Sequence, residues 1–218
     1  MEMRSFLSNL YRKIRPYIPK AYGNYNGVEV KVNRVGDRFL PAETLKNEDY
    51  EKELIECVKS NVGRGDKVTV IGGGIGVSSV VAGRLSDESI TVYEPSKKHV
   101  RIIRDAFSKN GVDGKVIHGF VGILKESYGQ VGKASRIKPT EIKECDVLEM
   151  DCEGAEKGII KNLDFQPEKI IVETHGVYDS PTSEVLDLAN QQGYKLEDKK
   201  WVDESKDVAI LVLKIEEA

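Results

Sequence analysis

Along most of this chain, short β-branched runs alternate with stretches whose apolar positions recur every three to four residues. KVTVI, SITVYE, GKVIHGF, DVLEM and KIIVE predict strands, while GVSSVVAGRL, KKHVRIIRDAFSKN, GAEKGIIKNL and PTSEVLDLANQQ predict helices between or after them. Such alternation predicts an α/β fold: a mostly parallel sheet with helices on both faces. The end departs from the rule. KLEDKKWVDESKDVAILVLKI predicts two strands joined by a polar turn from Asp203 to Lys206, so the last strand runs antiparallel and closes a sheet of seven. Before the first of these strands, EDYEKELIECVKSNV places Tyr50, Leu54, Ile55 and Val58 on one helical face, and Gly63 and Gly65 stop it.

The pattern divides the chain into an N-terminal extension, residues 1–46, and a larger domain, residues 47–218. In the extension, Phe6, Leu7, Leu10, Tyr11 and Ile14 have helical spacing among Arg4, Arg12, Lys13 and Arg15, and Pro16 and Pro19 end that helix. A basic amphipathic helix of this kind packs on its own domain or on a homodimer mate, or makes weak contact with a membrane surface. Packing is the expectation here, because five apolar residues are few for anchoring. Val28, Val30 and Val32 alternate with charged neighbours and predict a strand of a hairpin. Residues 122–144, rich in glycine and charge, read as an irregular connection over the ligand edge of the sheet.

Composition narrows the function classes. The chain has 218 residues, 32% charged, with a net charge of -3 and no basic footprint, so no nucleic-acid partner is expected. Cys57, Cys145 and Cys152 form no Cys-x-x-Cys pair, which argues against a disulfide framework or a zinc site and for a cytoplasmic location. No window carries the ~18 uncharged apolar residues of a membrane span.

The candidate chemistry begins at IGGGIGVSS, residues 71–79. A dinucleotide loop needs Gly-x-Gly-x-x-Gly; counted from Gly72 the third glycine falls on Val77, and counted from Gly73 the second falls on Ile75. Gly72, Gly74 and Gly76 do fit Gly-x-Gly-x-Gly, and that spacing resembles the first motif of class I S-adenosylmethionine-dependent methyltransferases. Methionine and ribose can lie along such a turn where no Cβ intervenes. Those enzymes often carry an acid two positions before the first glycine, where this chain has Val70. Glu94, about twenty residues on at a strand end, is placed to accept from both ribose hydroxyls. Its plainer role is to cap the next helix, which Ser96 could share.

ECDVLEMDCEGAEKGIIKNL brings Asp151, Glu153 and Glu156 together after an apolar strand. The string resembles the Asp-x-Glu-Gly-Ala-Glu motif of the FkbM-type methyltransferases, whose Glu-Pro matches Glu94-Pro95 and whose Glu-x-His strand end matches Glu173 and His175. The likeness runs from about Asn47 to the end of the sheet and is nearest to the archaeal branch. Glu149 stands where that family commonly has lysine. The resemblance implies a Rossmann-like class I methyltransferase fold and methyl transfer from S-adenosylmethionine to a hydroxyl of a sugar, a glycan or another small metabolite. It makes Asp151, Glu153 and His175 the base candidates, and Gly72, Gly74, Gly76, Glu94, Pro95 and Asp151 the cofactor contacts. Phe120 and Val121, at the third strand's end, are where an adenine would rest, though Phe120 suits a core equally well.

The plainer readings are a strand-end histidine satisfied by backbone for His175 and a helix N-terminal acid for Glu156. Tyr50, Glu51 and Glu53 could fold over the cofactor or simply line a helix surface. No metal is expected, because the catechol-type site draws on an Asp-Asn pair where this chain has Glu173-Thr174-His175. Two alternatives stand beside the methyltransferase reading: an NAD(P)-linked oxidoreductase, and a cofactor-binding protein of the same fold without activity.

Overall fold

The computed structural model describes residues 10, 13–14, 17–34, 46–122 and 134–216. Leu10, Lys13 and Ile14 are helical; the rest of the expected N-terminal helix lies outside the described residues, as do residues 35–45 and 123–133. A first unit comprises β1 (Lys20–Tyr25), β2 (Val28–Arg34) and β3 (Lys46–Asn47). Then come α1 (Lys52–Asn61), β4 (Val68–Ile71), α2 (Val77–Ser86), β5 (Ile90–Glu94), α3 (Lys97–Asn110), β6 (Gly114–Val121) and β7 (Ser135–Ile137). The chain closes with β8 (Val147–Met150), α4 (Glu156–Asn162), β9 (Lys169–Glu173), α5 (Thr182–Gln191), β10 (Tyr194–Asp203) and β11 (Val208–Ile215).

The main sheet has the order β10-β11-β9-β8-β4-β5-β6-β7. Its strands are parallel except β11, which runs against both β9 and β10. The antiparallel last strand is therefore as the sequence predicts, but the count of seven is corrected to eight among the described residues. The additional strand, β7, lies in the run read as irregular. It pairs with Gly119–Val121 of β6, and a Cβ at Gly119 would stand 2.3 Å from Ile137 Cδ1, so the bare glycine leaves the space into which the Ile137 side chain packs.

Both faces of the sheet are covered, which explains why VTVI and VLEM are buried at every position. Val68, Val70, Val92, Val147 and Ile171 join one core cluster with side chains of α1, α2 and α3. Ile71, Leu148, Met150, Ile170 and Val172 join another with side chains of α4 and α5. Each such side chain withdrawn from water contributes ~1.5–3 kcal/mol before conformational entropy is set against it.

The hairpin β1–β2 turns at Asn26-Gly27, both with positive φ (50° and 81°), the conformation that two-residue hairpin turns require. Val28 and Val30 are fully buried in the α1–α3 cluster. The Asn110 side chain completes the seam by accepting from the Glu29 N–H (3.1 Å) and donating to its carbonyl (2.9 Å).

Candidate active site

The topological switch lies between β4 and β8, the crevice where α/β sheets bind ligands. Two loops meet there, 72–76 after β4 and 151–155 after β8. Gly72 (φ 90°) is glycine because of that meeting: a Cβ would fall 1.8 Å from the Asp151 carbonyl oxygen, while the Asp151 N–H bonds the Ile71 carbonyl at 2.9 Å. Gly76 (φ 91°) precedes α2 and is pressed against Ile103, with its Cβ position 3.3 Å from Ile103 Cα. Gly74 (φ 50°) differs, since the nearest atoms to a Cβ there are Glu51 Oε1 and Tyr50 OH, both at 3.9 Å. Of the three, it is Gly74 whose missing side chain leaves room for a ligand.

Glu94, almost fully buried at the end of β5, ties the loop to the next helix. It accepts from the Gly74 N–H (3.1 Å) through Oε2 and from the Ser96 N–H (2.7 Å) through Oε1. Each carboxylate oxygen has a second acceptor site, so these bonds orient Glu94 without exhausting it. Ser96 caps α3 as expected, accepting from the His99 N–H. The carbonyl of Pro95 lies 3.0 Å from His118 Nε2. Phe120 and Val121 are buried in the cluster of α4 and α5.

At the ends of β8 and β9 the acids gather around one imidazole. His175 Nδ1 is 2.9 Å from Glu156 Oε1, which also accepts from the Gly154 N–H at 3.0 Å. His175 Nε2 stands 3.5 Å from Asp151 Oδ1 and 3.7 Å from Glu173 Oε1. The backbone of His175 is pinned by reciprocal bonds with Ser180, 3.0 and 3.1 Å, so the ring is held from both ends. Glu156 is thus more than a helix-terminal acid; it is fully buried and paired with His175. Glu153 is exposed, with φ 49° on the turn after β8, and acts on Asp151 through its charge.

Burial pushes Asp151 up to about 7 against the pull of His175, with Glu51, Glu156 and Glu153 adding to the rise. Burial followed by the Asp151 charge does the same to Glu173, also to about 7. For His175, burial opposes the cation, but the bond to Glu156 and the surrounding acids prevail and its pKa rises. Glu156 is held low: burial would raise it, and the His175 and Gly154 hydrogen bonds outweigh that. The thiol of Cys152 is driven far up by burial and by Glu156 and Asp151, which removes it as a nucleophile.

Two further acids lie at the glycine loop. Glu51, beside α1, is raised to about 7 by burial, and Glu149, on β8 and fully buried, to about 8 for the same reason. Ser78 bonds Glu149, whose Oε2 has no partner among the described residues; Ser79 Oγ has none either. The sequence signal for Glu149 is a charge inside an apolar strand. Glu51 and Tyr50, which the sequence offers as residues that could fold over the cofactor, both stand at the Gly74 turn, whereas no atom of Glu53 is among those nearest to it. Asp151, Glu173 and His175 offer ligand atoms all within 4.8 Å of one another, a set able to hold a metal ion where the sequence suggests none. A groove of about 580 Å³ between α4 and α5, lined by Lys157, Glu184 and Asp187 among others, includes none of these acids.

No family model matches the chain, and no curated protein matches it in sequence. Solved structures do. The chain is similar to the ribosomal protein L11 methylase from Lactobacillus delbrueckii subsp. bulgaricus, with TM-score 0.58 and 12% identity over 78% of this chain and 81% of that one. A tRNA methyltransferase from M. jannaschii gives TM-score 0.62 and 18% identity over 92% of this chain but 58% of that one, so this chain spans little more than half its length. A variant of MtNAS in complex with S-adenosylmethionine gives TM-score 0.50 and 16% identity over 77% and 64%. The fold is the Rossmann-like methyltransferase fold. Among the described residues, no helix is long and apolar enough to cross a membrane.

Proposed function

We propose that the chain is an S-adenosylmethionine-dependent O-methyltransferase of the FkbM type that methylates a hydroxyl of a sugar, a glycan or another small metabolite. The observation that carries this reading is the meeting of the Gly74–Glu94 loop with the Asp151–His175–Glu156 cluster across the β4–β8 crevice. The neighbours named as methyltransferases, and the one solved with S-adenosylmethionine, support the cofactor. A cytoplasmic location suits the three free cysteines.

The residues present fit the cofactor. Gly74 leaves backbone bare beside it, and Glu94 keeps acceptor sites for ribose hydroxyls. Glu51 and the orphaned oxygen of Glu149 put carboxyl oxygens near the loop as acceptors, suited to the ammonium group that Val70 cannot hold; that cation would in turn favour their ionised forms. When bound, the cofactor supplies a methyl group on a sulfonium. The protein's share is then alignment and proton removal. Asp151 and His175 face the crevice as proton acceptors, with Glu156 orienting the imidazole and stabilising its charged form. Beside them Tyr178, half exposed with its ring centroid 6.0 Å from that of His175, offers an aromatic face to an acceptor.

An NAD(P)-linked reading is disfavoured by the glycine spacing, and the inactive reading by the intact proton-accepting cluster. Calorimetry with S-adenosylmethionine, S-adenosylhomocysteine and NADH tests the first point: the sulfur cofactors are expected to bind, and NADH binding alone would overturn the proposal. A methyl-transfer assay over a panel of sugars and uronic acids tests the second.

A further inference from the structure

His175 is nine-tenths buried, and its Nε2 stands 3.5 Å from Asp151 Oδ1 and 3.7 Å from Glu173 Oε1, both longer than the usual ~2.7–3.2 Å of a direct N–H···O bond. Two carboxylates thus stand around an imidazole nitrogen at ion-pair distance, neither in close hydrogen-bond contact with it. The spacing is that of ligands around a cation. Atoms bound at ~2.1 Å to a tetrahedral ion lie ~3.4 Å from one another, and all three ligand atoms here fall within 4.8 Å. The other ring nitrogen is engaged by buried Glu156 at 2.9 Å, the carboxylate–histidine arrangement that fixes a metal-binding tautomer with its lone pair on Nε2.

We infer that Asp151, Glu173 and His175 bind a divalent first-row transition-metal cation, with Glu156 as the positioning residue for the imidazole. One imidazole and two carboxylates suit Mn2+, Fe2+ or Zn2+ better than Mg2+, which prefers oxygen ligands throughout. A cation would also relieve the crowding of charge that, with burial, raises both carboxyls. With three protein ligands it keeps open positions for water or for oxygen atoms of the acceptor. Nε2 then holds a cation in place of a proton. The inference stands on these side chains and not on the cofactor reading; a bound cation would take the place of His175 as proton acceptor but would leave S-adenosylmethionine binding at the glycine loop, so metal binding and cofactor binding fail separately.

The test uses the full chain, stripped with EDTA and titrated with Mn2+, Zn2+ and Mg2+ without any cofactor. One equivalent of Mn2+ or Zn2+ is expected to bind more tightly than Mg2+. Glu173→Gln and His175→Gln should weaken it at least ~10-fold, and Glu156→Gln ~10- to 100-fold, with melting in EDTA showing that each variant is folded. Co2+ added to the unmodified chain should give visible d–d absorption, a readout that requires no variant. Binding of less than one-tenth of an equivalent at millimolar Mn2+ and Zn2+, or equal affinity in the unmodified chain and folded Glu173→Gln, overturns the inference.

Discussion

Val70 and Glu149 are direct partners in the parallel ladder of β4 and β8. The carboxylate that the glycine-loop motif usually carries on the central strand is absent at Val70 and present one strand over, facing the same α1–α3 layer. Its position makes it costly at high pH. Its folded pKa, about 8, lies above the ordinary 4.5, so folding takes up a proton and stability is lost as pH rises from about 4.5 to about 8. Glu149→Gln is therefore expected to be more stable than the unmodified chain at pH 8.5, by ~4–5 kcal/mol, and equal to it near pH 4. Chemical denaturation across that range measures the difference, and parallel stability curves would count against a buried, ionisable Glu149.

The glycines of the loop should separate by role. Gly72→Ala drives a Cβ into the Asp151 carbonyl and should cost more than ~3 kcal/mol or prevent folding. Gly74→Ala meets nothing closer than 3.9 Å and should cost ~1–2 kcal/mol, from its left-handed φ. It should fold and still bind S-adenosylhomocysteine at least ~10-fold more weakly. Thermal melting paired with calorimetry distinguishes them.

Glu94 and Asp151 should separate binding from turnover. Glu94→Ala releases the Gly74 and Ser96 N–H groups and should lower cofactor affinity. Asp151→Asn keeps the loop and should lower turnover ~100-fold or more while affinity changes less. The reverse ranking in paired calorimetry and methyl-transfer assays would show that their roles are exchanged.

The hairpin β1–β2 should melt together with the sheet. Val28→Ala removes a fully buried side chain from the α1–α3 cluster and should cost ~2 kcal/mol. Circular dichroism and the fluorescence of Trp201, the single tryptophan, should shift together. A Trp201 transition that stays put would make the hairpin an independent unit.

Much of the fold is legible because its signals are local. Each predicted strand from KVTVI onward and each helix between them appears with ends shifted by a residue or two, since apolar period and turn residues act within a few positions. β7 is illegible for the converse reason: three residues, SRI, carry no periodic signal of their own and are a strand only through pairing with Gly119–Val121 of β6. The site divides in the same way. Gly72, Glu94 and Asp151 can be read from spacing at strand ends. The Glu156–His175 pair, nineteen residues apart, exists only once β8 and β9 lie side by side. Glu51 joins them because α1 starts at the same edge of the sheet.

The contact between Gly72 and the Asp151 carbonyl has a longer reach than its size suggests. It fuses the loop after β4 to the acids after β8 into one piece of backbone, with no slack between them. Over evolutionary time such a joint ties the two segments together, because a change in either must be answered in the other. The exposed side chain of Val177 bears on no such joint and is free to change while the joint stays fixed.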